Sequence, residues 1–266
     1  MMEKKVGIIQ FPGSNCEYET QAACHLVGID ADILAWNAEP EKIENYAGYI
    51  LPGGFSFQDR IRAGVVSSKL PIMAVIKQQA DLGKPVLGIC NGCQILAELG
   101  LIESSAETGS SSVALAPNIK NDQFNGFICD WVYVKVKCPQ ESLFTRYFKQ
   151  DLILPIQINH GEGNFKFIDQ QVNLKHRTAF VYCDEQGHEL DSFPVNPNGS
   201  DFNLAGLCND KGNVLAMMPH PERGVSWFQV PSYMQNEFSD QKRKNSLKQG
   251  PWIVLFQGLF DGIKGN

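Results

Sequence analysis

No apolar run in this 266-residue chain approaches the ~18 residues that a membrane-spanning helix needs. Met1-Met2-Glu3-Lys4-Lys5 passes straight into Val6-Gly7-Ile8-Ile9, with no small-residue cleavage site and too little apolar length for a signal peptide. A first strand is the expectation there. A basic excess is also missing: 23 Lys and Arg face 29 Asp and Glu, a net charge of −6. That argues against nucleic acid as the main partner, which needs a basic surface, though a local basic pocket is still allowed. The eight cysteines are too sparse for a small disulfide scaffold. Cys24, Cys129, Cys138, Cys183 and Cys208 fall in apolar segments, where a free thiol packs as a small core residue, and a cytoplasmic protein is expected. There is no G-x-x-x-x-G-K-S/T loop, no convincing nucleotide fingerprint and no internal repeat. The composition is that of an ordinary globular chain, 43% hydrophobic and 20% charged, which excludes disorder or a collagen-like repeat for its bulk.

The first hundred residues alternate between short β-rich runs (6–11, 30–36, 48–51, 86–89) and helical stretches (17–27, 61–82, 93–99). Such spacing requires crossover connections, hence a parallel sheet covered on both faces, with functional residues at the carboxyl ends of its strands. Beyond a small polar loop at 104–112, residues 127–136, 152–158 and 178–183 read as further strands, the first of them antiparallel. Residues 185–203 form a turn-rich excursion, and 204–208 pairs with 214–218 across Asn209-Asp210-Lys211-Gly212-Asn213. A last helix covers 252–263. One three-layer α/β domain over 1–266, mostly parallel with an antiparallel patch, fits this order.

The most informative segment is Val86-Leu87-Gly88-Ile89-Cys90-Asn91-Gly92-Cys93-Gln94, where a strand ends, Cys90 follows and a helix begins at once. Gly88 and Gly92 flank the cysteine at −2 and +2, the spacing of a nucleophile elbow. Small neighbours let strand and helix approach closely. The positive end of the helix dipole then faces the thiol, and the Asn91 N–H points to where an oxyanion would form. Cys90 to Cys93 is also a C-x-x-C, which admits a dithiol redox reading or half of a zinc site. No second C-x-x-C exists and the histidines lack ligand spacing, so no metal is assigned. A buried structural thiol is the remaining alternative.

Met217-Met218-Pro219-His220-Pro221-Glu222-Arg223 supplies a base and its orienter. Residues before proline are biased toward extended backbone, and residues two apart in extended chain share a face. His220 and Glu222 can thus pair, completing a Cys90, His220, Glu222 set; the bland reading is a proline-rich turn with a surface histidine. His25, His176 and His188 read as surface or packing residues. Leu51-Pro52-Gly53-Gly54 ends a strand in exposed backbone N–H groups and suits the second arm of an oxyanion hole, although Pro-Gly-Gly alone is only a turn.

Together these pieces resemble the class I glutamine amidotransferases. Phe11-Pro12-Gly13-Ser14-Asn15-Cys16, Gly53-Gly54-Phe55-Ser56-Phe57, Arg62-Ala63-Gly64 and His160-Gly161-Glu162-Gly163 extend the resemblance to the glutaminase subunits of phosphoribosylformylglycinamidine synthase. The resemblance implies a flavodoxin-like fold and attack of Cys90 on the side-chain amide of glutamine. It further implies that His220, oriented by Glu222, protonates the leaving ammonia. Gly54 and Asn91 N–H groups would hold the oxyanion, and Gly53 would shape that loop. Gln94, His160 and Gly161 would line the substrate pocket, or His160 would serve loop structure while main-chain groups bind. Cys16 and Cys93 read as structural, and Gln58 stands where many relatives are expected to have glycine. ATP and magnesium are implied on a large synthetase subunit, joined in many organisms by a small third subunit, with no cofactor on this chain. That partner would convert formylglycinamide ribonucleotide to its amidine. An amidotransferase for another acceptor, or a non-catalytic regulatory relative, is the alternative. Trp227, Phe228, Tyr233 and Phe238 beside Lys242-Arg243-Lys244 suit an interface with the synthetase, or a solvated loop.

Overall fold

The computed structural model describes residues 4–104, 111–120, 123–137, 142–169, 172–234, 244 and 248–265. Cys138, Phe238, Lys242, Arg243 and most of the expected loop at 104–112 lie outside them. The strands are β1 (Val6–Gln10), β2 (Ala31–Ala35), β3 (Gly48–Leu51), β4 (Val86–Ile89), β5 (Val113–Ala116), β6 (Ile119–Lys120) and β7 (Gln123–Phe124), followed by β8 (Ile128–Val136), β9 (Ile153–His160), β10 (Asn164–Phe167), β11 (Thr178–Cys183), β12 (Leu204–Cys208) and β13 (Val214–Met217). The helices are α1 (Glu17–Leu26), α2 (Pro40–Glu44), α3 (Val65–Ser68), α4 (Pro71–Asp81), α5 (Asn91–Glu98) and α6 (Ile253–Gly265).

Nine strands form one sheet in the order β2-β1-β3-β4-β13-β12-β11-β8-β9. From β2 to β13 every neighbour is parallel; from β13 to β9 every neighbour is antiparallel. The parallel half has the 2-1-3-4-5 order of a flavodoxin-like sheet, which reverses direction between β1 and β3. β3, β4 and β13 are buried at every position, as strands covered on both faces must be. That explains their continuous apolar runs. In the antiparallel half β9 alternates buried and half-buried residues. Phe148, Phe180 and Trp252 pack there with ring centroids 5.2–5.8 Å apart, and the Trp252 indole donates to the Pro155 carbonyl at 2.7 Å.

The expected 61–82 helix is split into α3 and α4, because Pro71 begins the second and cannot continue the first. β5 and β10, which pair outside the main sheet, were not foreseen. Cys129, expected in the core, is exposed; it sits on β8, whose outer face is open to solvent at that end. Among the described residues no helix is long and apolar enough to cross a membrane.

Candidate active site

Four strand ends, β1, β3, β4 and β13, deliver the site. At the end of β4, Cys90 adopts φ 51° and ψ −105°, a conformation unfavourable for a residue with a Cβ. The Cys90 N–H donates to the Met217 carbonyl at 2.8 Å, and its carbonyl accepts from the Gln94 N–H at 3.1 Å, so sheet and helix both hold the turn. The flanking glycines are sterically required. A Cβ on Gly88 would lie 2.6 Å from the Gly92 carbonyl oxygen, and one on Gly92 would collide with the Leu51 carbonyl oxygen. The Cys90 Sγ lies 3.5 Å from the Asn159 carbonyl.

β13 leads into His220, whose backbone N–H donates to the Gln157 carbonyl at 2.9 Å. His220 is extended as expected, but Glu222 is not: Pro221–Gly224 closes into a 3-10 turn. That turn still brings Glu222 Oε1 to 2.5 Å from His220 Nδ1, with both side chains buried. Burial alone would push the imidazole toward neutral. The Glu222 carboxylate and the neighbouring Cys90 and Cys16 groups outweigh it, so the His220 pKa lies well above its usual value. With Nδ1 bound to the carboxylate, Nε2 is the nitrogen left to face the thiols. Gly53 sits against all of them, since a Cβ there would lie 2.8 Å from His220 Cε1, 3.0 Å from Cys16 Sγ and 3.5 Å from Cys90 Cβ.

The loop after β1 buttresses the loop after β3. The Phe55 N–H donates to the Gly13 carbonyl at 2.9 Å, and the Phe57 N–H to the Pro12 carbonyl at 2.7 Å. Gly54, at φ 149°, has Ser14 Cα only 2.6 Å from where a Cβ would be. The Asn91 side chain bridges the two arms expected to hold an oxyanion. Its Oδ1 accepts from the Ser56 N–H at 3.2 Å, and its Nδ2 donates to Gln94 Oε1 at 2.9 Å.

Cys16 is more than structural packing in its placement. Arg223 Nη2 lies 3.3 Å from its Sγ, and the same guanidinium is bound by Glu19 at 2.9 Å. Burial pushes the Cys16 thiol up to about 11, against the opposing pull of His220. Cys16, His220 and Glu222 have ligand-type atoms within 4.8 Å of one another. The Arg223 charge opposes a cation there, and Glu222 already binds the imidazole as an orienting acceptor does.

A cavity of about 100 Å³ opens beside Cys90, with Gly54, Gln94, His160, Gly161, Asp59 and Glu162 on its wall. A larger cavity of about 490 Å³ contains none of the candidate site residues and is lined instead by Lys120, Lys166 and Asp201 with their neighbours. Asn118, unmarked by any motif, organises the 160–163 loop. Its Nδ2 donates to the His160 carbonyl at 2.8 Å, while its Oδ1 accepts from the Gly163 N–H at 2.9 Å and lies 3.2 Å from His160 Nδ1. Asn198 Nδ2, from the 185–203 excursion, donates to the Gly163 carbonyl at 2.8 Å. The excursion therefore pins the loop. Cys93, by contrast, is fully buried and its thiol is held well above its usual value by burial. His25, His176 and His188 are exposed.

Residues 3–261 match the CobB/CobQ-like glutamine amidotransferase domain. The chain belongs to that family. It is 41% identical over 236 residues to the phosphoribosylformylglycinamidine synthase subunit PurQ of Methanothrix thermoacetophila, covering 85% of this chain and 89% of that protein. The PurQ subunit of Aquifex aeolicus is 39% identical over 223 residues, covering 82% and 90%. Among solved structures, PurLQS from Thermotoga maritima superposes with a TM-score of 0.72 at 30% identity, covering 98% of this chain and 99% of that one. Within the amidotransferases the chain thus belongs with the PurQ subunits. The mixed sheet, parallel where it carries the elbow and antiparallel beyond β13, is the amidotransferase fold.

Proposed function

We propose that this chain is a single glutaminase domain that hydrolyses glutamine to glutamate and ammonia, with Cys90, His220 and Glu222 as the reacting set. The Cys90 Sγ attacks the side-chain amide carbon, and its proton passes to His220. The oxyanion is held by the N–H groups of Gly54 and Asn91, and Gly53 leaves room for thiol and imidazole together. His220 then protonates the departing nitrogen, and ammonia leaves a thioester on Cys90. Water, deprotonated by His220, attacks the thioester carbon and releases glutamate. The observation that carries this reading is the convergence on Gly53 of Cys90, at a strained elbow, and of a buried His220–Glu222 pair. A dithiol redox reading is disfavoured by Cys93, which is fully buried.

The ammonia goes to a PurL-type synthetase subunit that uses ATP and Mg²⁺ to convert formylglycinamide ribonucleotide to its amidine. A small third subunit of the PurS kind completes the assembly, as the name of the Thermotoga maritima structure suggests. Phe228 and Tyr233, exposed just past His220-Pro221-Glu222, are candidates for that contact. Ammonia made in an undocked site is lost to solvent, so the isolated chain is expected to be a poor glutaminase that the loaded synthetase activates. Steady-state glutaminase assays with and without the synthetase, its nucleotide and its substrate test this. A fully active isolated chain, indifferent to the partner, would refute the coupling. Absence of stoichiometric labelling at Cys90 by a thiol-reactive glutamine analogue would refute the nucleophile.

A further inference from the structure

The cavity beside Cys90 has a wall made of hydrogen-bond acceptors. Asp59 reaches it from the loop after β3, where residues 57–59 all have positive φ, and Glu162 reaches it from the 160–163 loop. Among the described residues neither carboxylate has a cationic partner. Asp59 Oδ1 has only Asn91 Nδ2 at 3.4 Å, and Glu162 Oε2 only the Ala63 N–H at 3.1 Å. Burial and the nearby Glu162 charge together raise the Asp59 carboxyl to about 6.

His160 supplies a third acceptor. The Asn118 amide is oriented by donating through Nδ2 to the His160 and Gly126 carbonyls. Its Oδ1 must therefore be what faces His160 Nδ1, which places the imidazole proton on Nδ1. Burial lowers the His160 pKa to about 3, so the ring is neutral and Nε2 is a bare lone pair. That Nε2 is buried without a hydrogen-bond partner, on a residue that is 2% exposed and lines the same cavity. Gln94 does not offset this acceptor surplus, since its Nε2 is already donated to the Glu162 carbonyl at 2.7 Å.

We infer that Asp59, Glu162 and His160 Nε2 form the subsite for the α-ammonium of the amino-acid substrate, three acceptors for a group with three N–H donors, and thereby select an α-amino acid amide over a simple amide. The inference rests on the glutaminase reading and names the determinant of its substrate class. Like charges held together without a counter-ion are costly to the empty site, and a bound cation relieves that cost only when substrate is present. Asn118 acts as a positioning residue by fixing the His160 tautomer.

The test measures protection of Cys90 from alkylation by iodoacetamide, which carries no ammonium group. In the wild-type full chain, L-glutamine should protect at concentrations at least roughly tenfold lower than glutaramate, the same amide without its α-amino group. Combining Asp59→Asn with Glu162→Gln should erase that difference while leaving unprotected alkylation of Cys90 unchanged. Equal protection by both compounds in the wild type would overturn the proposal without need of any variant. So would wild-type discrimination surviving in the double variant. Protection by neither compound, with no glutamate formed, would instead remove the glutaminase reading on which the subsite rests.

Discussion

His220 Nδ1 and Glu222 Oε1 meet at 2.5 Å across a single intervening proline, with both side chains sealed from solvent. The carboxylate sets which nitrogen carries the proton and stabilises the imidazolium. Glu222→Gln should lower glutaminase kcat/KM by about a hundred- to ten-thousand-fold, whereas Cys90→Ala should abolish turnover. Steady-state kinetics on the complex with its synthetase separates the two. Equal loss in both would mean that Glu222 does more than orient.

The same pair predicts a pH dependence of stability. The folded His220 pKa lies above the ordinary 6.5, so the pair's contribution is fully present below that value and is lost as pH rises through the folded one. The stability difference between wild type and Glu222→Gln in urea unfolding should therefore be largest near pH 6 and shrink toward pH 10.

Asp59 should behave in the opposite sense. Its carboxyl is raised from 3.8 to about 6, so ionisation destabilises the fold progressively from about pH 4 to pH 6 and fully above that. Asp59→Asn should stabilise the protein at pH 8 by roughly 1–2 kcal/mol, allowing for the partial exposure of this group, and leave it unchanged at pH 4. Thermal melts at the two pH values decide the matter. A destabilised variant at pH 8 would show that Asp59 is satisfied in the empty site.

Gly92→Ala should be severe, because its Cβ has nowhere to go but the Leu51 carbonyl. A loss of at least about 3 kcal/mol is expected in denaturant unfolding. Gly265→Ala, with nothing within 4 Å of its Cβ, should change stability by less than about 0.5 kcal/mol. Similar effects at both positions would contradict the close strand-to-helix approach at the elbow.

Gln58 occupies left-handed backbone at φ 62° and ψ 28°. Gln58→Gly should relieve that strain and stabilise the fold by about 0.5–1 kcal/mol, the gain being reduced by glycine's greater freedom when unfolded. The side chain's bonds to Arg60 are exposed and add little to hold it. A melting temperature that falls would mean that the loop needs Gln58 for contacts of its own.

Much of the fold was legible because its signals are local. The runs at Gly48–Leu51, Val86–Ile89 and Thr178–Cys183 keep their expected bounds, being apolar stretches closed by turn residues. β5 and β10 escaped notice because each is only four residues long and pairs with the other rather than with the main sheet. The 3-10 turn at Pro221–Gly224 was missed because a proline bias speaks to the residue before it, not to the one after.

By itself the sequence determined the elbow, since Gly88, Cys90 and Gly92 must pass between strand and helix within five residues, and only that spacing avoids the backbone clashes. It determined the His220–Glu222 pair for the same reason, two residues apart with one stiff link between them. Only the tertiary structure decided what surrounds them. Asn118 lies 42 residues from His160 and 45 from Gly163. Arg223 reaches Cys16 across 207 residues. Asp59 and Glu162 come to one cavity from loops on different halves of the sheet. Polar contacts between distant segments leave no periodicity in the chain. They exist only once the sheet order has placed the strand ends side by side.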